Sequence, residues 1–163
     1  IYELTTNKDM YVEVPEYEPV VFETDNWKNV SYEWFKRQDL IDVPLVFTQD
    51  VNDFRYKTDN LESIPKIPVG ASCIIDEELK EEEIKFTTSC PGKPHIIKFS
   101  YFPNWKVEGA DKIYLVSPSF MLVYPEGNDV RVYYGKRWTD ILGLLFSITG
   151  IILVIFVLLC SRT

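Results

Sequence analysis

Histidine is nearly absent from this chain, since His95 is the single histidine among 163 residues. A histidine-rich metal site is therefore excluded, and the spacing of Cys73, Cys90 and His95 matches no zinc module. The sequence also lacks a Gly-x-Ser-x-Gly nucleophile elbow, a phosphate-binding loop and a dinucleotide-binding fingerprint. Carboxylates are abundant, but spacing alone singles out no glycosidase pair. We therefore expect no catalytic residue, no metal and no cofactor within this chain.

Positive charge is scarce as well. There are 17 Lys and Arg residues against 25 Asp and Glu, which gives a formal net charge of -8. An acidic chain is not attracted to a phosphate backbone or to anionic lipid headgroups, so nucleic acid is excluded as a partner. Aromatic residues make up 15% of the chain, which indicates a folded domain rather than a disordered segment.

Charge is missing altogether from residues 141–160, which are twenty consecutive uncharged residues. A hydrocarbon core of about 30 Å requires roughly 20 apolar residues in a helix. We therefore predict an extracytoplasmic β-rich domain over 1–137, a transmembrane helix over 138–160 and a short polar tail over 161–163. The expected location is the cell membrane, with the lipid bilayer as one partner.

Small residues recur within the predicted membrane helix. Gly143, Ser147 and Gly150 fall on one helical face, where they would allow close packing against other transmembrane helices of the same parent or complex. The alternative is that Gly and Ser are simply tolerated in a membrane helix. The chain starts at Ile1 without a signal peptide, which favours a fragment of a longer protein.

The side of the membrane is predicted from three features outside the helix. Cys73 and Cys90 are a plausible disulfide in an oxidising compartment, the alternative being two buried thiols. Asn29 begins a glycosylation sequon that ends at Ser31. The third feature is the resemblance described below. Local charge does not favour a cytoplasmic C-terminus, because Lys136 and Arg137 precede the helix and one Arg follows it.

The pattern of apolar residues predicts a β-rich α+β fold, an antiparallel β-sandwich with one or two short helices. A helix is predicted from Trp27 to about Arg37, after the capping oxygens of residues 24–26. The acidic run 76–83 lacks the spaced ligands and turn glycine of a calcium loop, and a solvated hairpin connection is favoured. Alternation and turn residues predict strands at 44–48, 71–75, 84–88, 95–102, 112–116, 119–124 and 129–134, with a long polar loop at 49–68.

A ligand-binding role is considered for three residues. Trp105 follows Pro103 and Asn104 in a predicted loop, where exposure would let it stack on a sugar ring. Tyr101 is the second aromatic residue that could contribute, with Trp105, to a platform for stacking on sugar rings. His95 begins a strand, where it would make a polar contact to a ligand or a partner domain, or would simply be a hydrogen-bonded surface histidine. For the aromatic residues the alternative is a role in the apolar core.

Residues 92–143 resemble a known family. The run 92–107 contains Tyr101-Phe102-Pro103-Asn104-Trp105, and 117–125 and 130–135 continue the likeness up to the last helix. This segment resembles the C-terminal extracytoplasmic domain and last membrane helix of archaeal and bacterial multi-pass proteins. These are labelled pyruvoyl-tetrahydropterin-synthase-related and are similar to GT-C glycosyltransferases and YfhO-like proteins. No position here matches the catalytic acid of GT-C enzymes, so no catalytic residue is carried over.

Two functions follow as hypotheses. The resemblance implies a non-catalytic outer domain of a glycosyltransferase-like multi-pass membrane protein, which takes part in surface glycan or lipid-linked sugar assembly. Its partners would then include a glycan or a polyprenyl-linked sugar. The alternative is a single-pass, membrane-anchored surface or envelope structural protein that assembles with its neighbours. A ligand-binding sensor subunit is a third hypothesis, which would require a formed pocket with exposed aromatic residues.

Overall fold

A computed structural model describes residues 10–135 and 138–160 of the chain. The described residues form eleven strands and two α-helices, together with short 3-10 turns at Val51–Asp53 and Leu61–Ser63. The strands are Val12–Glu13 (β1), Val20–Phe22 (β2), Leu45–Phe47 (β3), Lys57–Thr58 (β4), Ile75–Lys80 (β5), Glu83–Thr88 (β6), His95–Ile97 (β7), Trp105–Glu108 (β8), Tyr114–Val116 (β9), Phe120–Val123 (β10) and Asp129–Tyr134 (β11). The helices are Trp27–Phe35 (α1) and Trp138–Cys160 (α2).

The strands form a larger and a smaller sheet. The larger has the order β1-β7-β10-β9-β3-β2-β4, and the smaller has the order β5-β6-β11-β8. All pairs in the smaller sheet are antiparallel, but β2 lies parallel to both β3 and β4. The larger sheet is therefore mixed, and the prediction of a wholly antiparallel arrangement is wrong there. The connection from β2 to β3 contains α1, which is long enough to bring the chain back in the same direction.

The smaller sheet covers one half of one face of the larger sheet. Ile97 and Met121 of the larger sheet lie in one buried cluster with Phe86 and Val132 of the smaller sheet. The two sheets thus share an apolar core, an arrangement compatible with the predicted sandwich. Complete burial of a side chain of this kind contributes roughly 1.5–3 kcal/mol.

Helix α1 covers the other half of the same face. Cross-strand partners project to the same side of a sheet, and the register pairs Phe47 with Leu115 and Leu115 with Met121. On this half Trp34 packs in a buried cluster with Val20 and other residues of β2 and β3. The helix begins after Asn26, whose side chain accepts a hydrogen bond from the Asn29 backbone N–H at 3.3 Å. The predicted first helix is therefore present, although it ends at Phe35.

The opposite face of the larger sheet is covered by the polar segment 49–56. Val46 and Leu122 are buried on this face, with Phe54 packed against their cluster. The Phe54 ring also lies 4.8 Å from the Tyr114 ring in an edge-to-face arrangement. Segment 49–68, which the sequence predicts as a long loop, contains the two 3-10 turns and the short strand β4.

The acidic run forms most of a strand rather than a connection. Strand β5 extends from Ile75 to Lys80 and pairs with β6, so the turn of this hairpin falls between Lys80 and Glu83. The predicted strand at 71–75 is therefore wrong in its position. The strand tolerates acidic residues because it is the outer strand of the smaller sheet and one of its faces is in solvent.

In the last third of the chain, the strands predicted at 119–124 and 129–134 are confirmed and correspond to β10 and β11. The predicted strand at 95–102 is shorter, because β7 ends at Ile97. Strand β8 was assigned to a loop by the sequence, yet Trp105 to Glu108 pair with the second half of β11.

Helix α2 occupies the segment in which the sequence predicts a transmembrane helix. Its described side chains are mostly exposed and apolar, whereas the side chains of Thr139, Phe156, Leu158 and Leu159 lie outside the described residues. Among the residues that the structure describes, no helix combines the length and the apolar character that crossing a membrane requires. The fold therefore contains the predicted helix without confirming that it spans a membrane. The predicted polar tail 161–163 also lies outside the described residues.

Candidate functional site

A row of four aromatic rings lies at the end of the domain that connects to α2. The Tyr11 and Phe99 rings are 5.0 Å apart, Phe99 and Trp105 are 6.5 Å apart, and Trp105 and Tyr134 are 5.5 Å apart. We call these four residues the aromatic row. Because β11 alternates in direction along its length, Tyr134 faces Trp105 while its neighbour Tyr133 faces outward beneath the Arg131 guanidinium, at 4.7 Å.

Hydrogen bonds connect the start of β8 to the beginning of α2. The Trp105 N–H donates to the Phe102 carbonyl at 3.0 Å, and the Gly135 N–H donates to the Asn104 carbonyl at 2.9 Å. The Asn104 side-chain amide donates to the Asp140 carboxylate at 3.4 Å. The turn 102–105 therefore lies beside the point where the chain enters α2, and the exposed Phe102 ring is at that end of the domain.

The two aromatic residues proposed as ligand contacts both pack against the core, which was the alternative for each of them. Trp105 is half-buried on β8, where it packs against the core between the sheets, so it does not lie in a loop. Tyr101 is also packed against this core, and its N–H donates to the Ser119 carbonyl at 2.7 Å. Neither side chain lines any of the described grooves. Their ligand-binding role stays a prediction.

His95 lies in the core and not at the surface. Its ring is fully buried and stacks on Phe86 with ring centres 5.6 Å apart. The Nδ1 atom lies 2.8 Å from the Lys93 carbonyl, and Nε2 lies 2.8 Å from the Thr88 hydroxyl. Because a carbonyl only accepts, Nδ1 carries the proton and Nε2 accepts from Thr88. The Thr88 oxygen in turn accepts from the Cys90 N–H at 3.1 Å.

This network keeps the imidazole neutral. Burial lowers the pKa of His95 below its usual range, and the hydrogen bond to the Lys93 carbonyl opposes the effect only in part. Both ring nitrogens are already used, so the ring has no remaining donor or acceptor for a ligand. The structure therefore favours a structural role for His95, in which it joins β7 to the end of β6.

The predicted disulfide is present. Cys73 and Cys90 are joined with an S–S distance of 2.07 Å and a Cα–Cα distance of 5.6 Å. The bond closes the base of the hairpin formed by β5 and β6. Disulfides persist in oxidising compartments, which agrees with the expected extracytoplasmic location of the domain. Because both sulfurs are in this bond, neither can serve as a thiolate ligand for zinc.

The glycosylation sequon falls on α1. Asn29 is exposed there, so its side-chain amide is accessible. Ser31, the third residue of the sequon, is buried, and its hydroxyl has no hydrogen-bond partner among the described residues. Glycosylation of Asn29 stays a prediction.

The small residues of α2 all lie on its exposed surface. Gly143 and Gly150 leave open space where a Cβ would be, and the Ser147 hydroxyl donates to the Gly143 carbonyl at 2.8 Å. The Ser147 hydroxyl is thus satisfied within the helix. The face is sterically able to accept another helix, although nothing packs against it within the described residues. The role of these residues in helix packing stays a prediction.

A polar cluster fixes the 3-10 turn at 51–53 against β9. The Lys112 ammonium lies 2.6 Å from Asp53 and 3.0 Å from Asp50, and the Tyr114 hydroxyl donates to Asp53 at 3.0 Å. Burial, together with the bond to Asp53, raises the pKa of Tyr114 to about 12. The hydrogen bond from Lys112 lowers the pKa of Asp53. The charges satisfy one another, so the cluster holds a surface turn and shows no group poised for proton transfer.

One groove on the described surface runs over the outer face of the smaller sheet. Its volume is about 430 Å³, and it is lined by Asp76, Lys85, Glu108 and Arg131 among others. Arg131 contacts Glu83 at 2.5 Å and Glu108 at 3.2 Å, and Lys85 contacts Glu83 at 3.1 Å. These pairs are surface salt bridges along neighbouring strands. They form a solvated sheet face rather than a chemical centre.

Glu77 makes a contact that sequence reasoning missed. Its two carboxylate oxygens accept from the Tyr11 N–H at 2.8 Å and the Val12 N–H at 2.7 Å. The edge of β5 is thereby joined to the edge of β1, across the two sheets. Six of the eight residues at 76–83 are acidic. A glutamate in such a segment carries no local signal of this role, because its partners lie 65 residues away or more. Within the described residues no group of three potential ligands is placed to hold a metal ion.

Comparisons with known proteins identify no relative. No family model, curated protein or solved structure matches the chain.

Proposed function

We propose that this chain is a non-catalytic extracytoplasmic domain held at a lipid bilayer by α2. One observation carries this proposal. Ile148, Ile152 and most other described apolar side chains of α2 are exposed, whereas most large apolar side chains of the domain are packed into its three cores. Exposed apolar surface of this extent requires an apolar environment, because it is otherwise strongly unfavourable in water.

The disulfide supports the extracytoplasmic location, and the internally bonded polar groups of the domain support the non-catalytic role. A Cys73–Cys90 bond is stable outside the reducing cytoplasm. The sole histidine is buried and fully hydrogen bonded, and the charged clusters of the domain are internally paired. These features favour an accessory or structural role over catalysis.

The proposed parent is a glycosyltransferase-like multi-pass membrane protein that acts in surface glycan or lipid-linked sugar assembly. This part rests on the resemblance of residues 92–143 alone. The mass of the native polypeptide, measured from its own membrane before and after glycan removal, tests it. A mass several times 19.1 kDa supports the multi-pass parent. A mass near that value, with or without a glycan, contradicts it and favours the single-pass surface protein.

Flotation with phosphatidylcholine vesicles tests the membrane attachment. The wild-type chain should float with the vesicles, and the double variant Ile148→Asp, Ile152→Asp should remain in the dense fraction, since charged residues in the hydrocarbon region are costly. Ile74 is the matched control because it is an isoleucine of the domain with 80% exposure. Ile74→Asp should float like the wild type. A wild-type chain that stays in the dense fraction contradicts the proposal.

A further inference from the structure

The end of the domain beside α2 carries exposed aromatic rings that the packing of the core does not explain. Phe102 is 55% exposed, Tyr134 is 40% exposed and Trp138 is 70% exposed. We call these three residues the docking surface. Tyr134 is the last ring of the aromatic row and contacts Trp105. Phe102 belongs to the turn that is hydrogen bonded to the segment entering α2. The three rings therefore occupy one end of the molecule.

We propose that the docking surface lies in the headgroup layer of the bilayer and holds the domain in a fixed orientation against the membrane. The inference rests on the proposed function, in which α2 is embedded in the same bilayer. Tyr and Trp side chains favour the interface between hydrocarbon and water, because they combine an apolar ring with a polar group that remains hydrated.

The short connection to α2 limits where this surface can be. One residue, Gly135, and the pair 136–137 separate the end of β11 from Trp138. The Asn104 amide also reaches the Asp140 carboxylate in the first turn of the helix. A helix embedded from its first turns thus brings the turn 102–105 to the membrane surface. The docking surface is continuous with the apolar surface of α2 and does not require a separate partner.

A positively charged side chain beside the docking surface, Lys106, also fits a lipid headgroup. The exposed Lys106 side chain lies along Gly135 so closely that a Cβ on that glycine would come 2.7 Å from the Lys106 Cε atom. Its ammonium is therefore at the end of the domain that carries the docking surface, where a lipid phosphate is an available acceptor. The net charge of -8 opposes binding to anionic membranes, so a zwitterionic phosphatidylcholine headgroup is the lipid that we propose.

Nitroxide depth measurements on the full chain in phosphatidylcholine vesicles test this inference. Spin labels are attached in a Cys160→Ser background to Phe102→Cys, to Tyr32→Cys and to Ile148→Cys, with the Cys73–Cys90 bond intact. Tyr32 is the control because it is 60% exposed on α1. Circular dichroism checks that each labelled chain remains folded. Collision with oxygen reports lipid, and collision with a water-soluble nickel complex reports water.

The expected result is a ratio of oxygen to nickel collisions at residue 102 that is several-fold higher than at residue 32 and lower than at residue 148. A label at 102 that is as water-accessible as the label at 32 overturns the inference while the label at 148 still reports lipid. A label at 102 that is shielded from both reagents indicates a protein contact and also overturns it. A water-accessible label at 148 contradicts the proposed membrane attachment itself.

A second substitution separates the aromatic contribution from mere proximity to α2. Tyr134→Ser, introduced into the chain labelled at 102, should shift that label toward water because it removes one ring of the docking surface. Phe35→Ser is the matched control, since Phe35 is also exposed but belongs to α1. It should leave the depth of the label unchanged. Equal effects of the two substitutions would overturn the role of the docking surface.

Discussion

At the scale of single residues, the buried polar groups of His95 and Trp34 connect separate segments of the domain to each other. His95 joins β7 to the Thr88 hydroxyl and to the Lys93 carbonyl, and Trp34 donates from its indole nitrogen to the Leu40 and Val43 carbonyls at 2.9 Å. Each bond satisfies a buried group that would otherwise cost roughly 1–3 kcal/mol. The sequence shows which residues are polar, but it does not show which of them will be buried with a partner.

The neutral state of His95 predicts a pH-dependent stability. The usual pKa of histidine in an unfolded chain is about 6.5, and burial lowers the pKa in the folded domain. Between these two pKa values the unfolded chain binds more protons. The free energy of unfolding is therefore at its full value above about pH 6.5, and it falls as the pH drops toward the folded-state pKa, by at most about 1.4 kcal/mol per pH unit.

Urea unfolding at several pH values between 5 and 7 measures this dependence. The window isolates His95 because the chain has no other histidine and carboxylates in an unfolded chain titrate near pH 4. The control is His95→Gln, which removes the titrating group and should flatten the profile, although its stability will be lower throughout. A flat wild-type profile, or an equal slope in the variant, would show that burial of this histidine does not control the pH response.

At the scale of elements, the regular alternation of apolar residues predicted most of the strands in the last third of the chain. Strands β10 and β11 and helix α1 were predicted because each has its own periodicity or cap. Strand β8 was missed because Pro103 and Asn104 mark a turn, and four residues are too few for alternation to be visible. The parallel pairing of β2 with β3 and β4 was missed because register depends on distant partners rather than on local sequence.

The candidate site was predicted even less completely, for the same physical reason. The disulfide could be proposed because cysteine has few roles in an oxidising compartment. His95, Trp105 and Tyr101 were singled out by residue type, which does not reveal whether a ring faces the core. The relation between Phe102, Tyr134 and Trp138 arises only when β8 and β11 pair and bring the turn 102–105 beside α2.

Glu77 allows the connection between the two sheets to be tested. Glu77→Ala removes both acceptors of the β1 backbone, and charge-assisted hydrogen bonds of this kind are worth about 1.5–3 kcal/mol. Because the site is partly exposed, we expect a loss near the lower end of that range. Glu78→Ala is the matched control, since Glu78 is exposed and pairs with Lys80 at the surface, and it should change stability by less than about 0.5 kcal/mol. Equal losses in urea unfolding would contradict the proposed role of Glu77.

At the scale of the whole molecule, the domain and α2 have separate energetic requirements. The three buried clusters draw their residues from the segment 12–132, and none of them includes a residue of α2. The domain therefore obtains its hydrophobic stabilisation internally, in the sandwich core, beneath α1 and on the opposite face of the larger sheet. Within the part of the chain that the structure describes, α2 contributes no side chain to these clusters. In the proposed function, lipid contacts its apolar side chains instead.

This separation predicts that residues 1–135 fold without α2. A chain truncated after Gly135 should give a β-rich circular dichroism spectrum and a cooperative thermal transition in the absence of detergent, because its cores remain complete. Ile97→Asp within the truncated chain is the negative control, since Ile97 is fully buried between the sheets and an unpaired charge there is strongly unfavourable. It should abolish the transition. A truncated chain that folds only with detergent would show that α2 supplies part of the domain's core, and it would remove the physical basis for treating α2 as a separate membrane attachment.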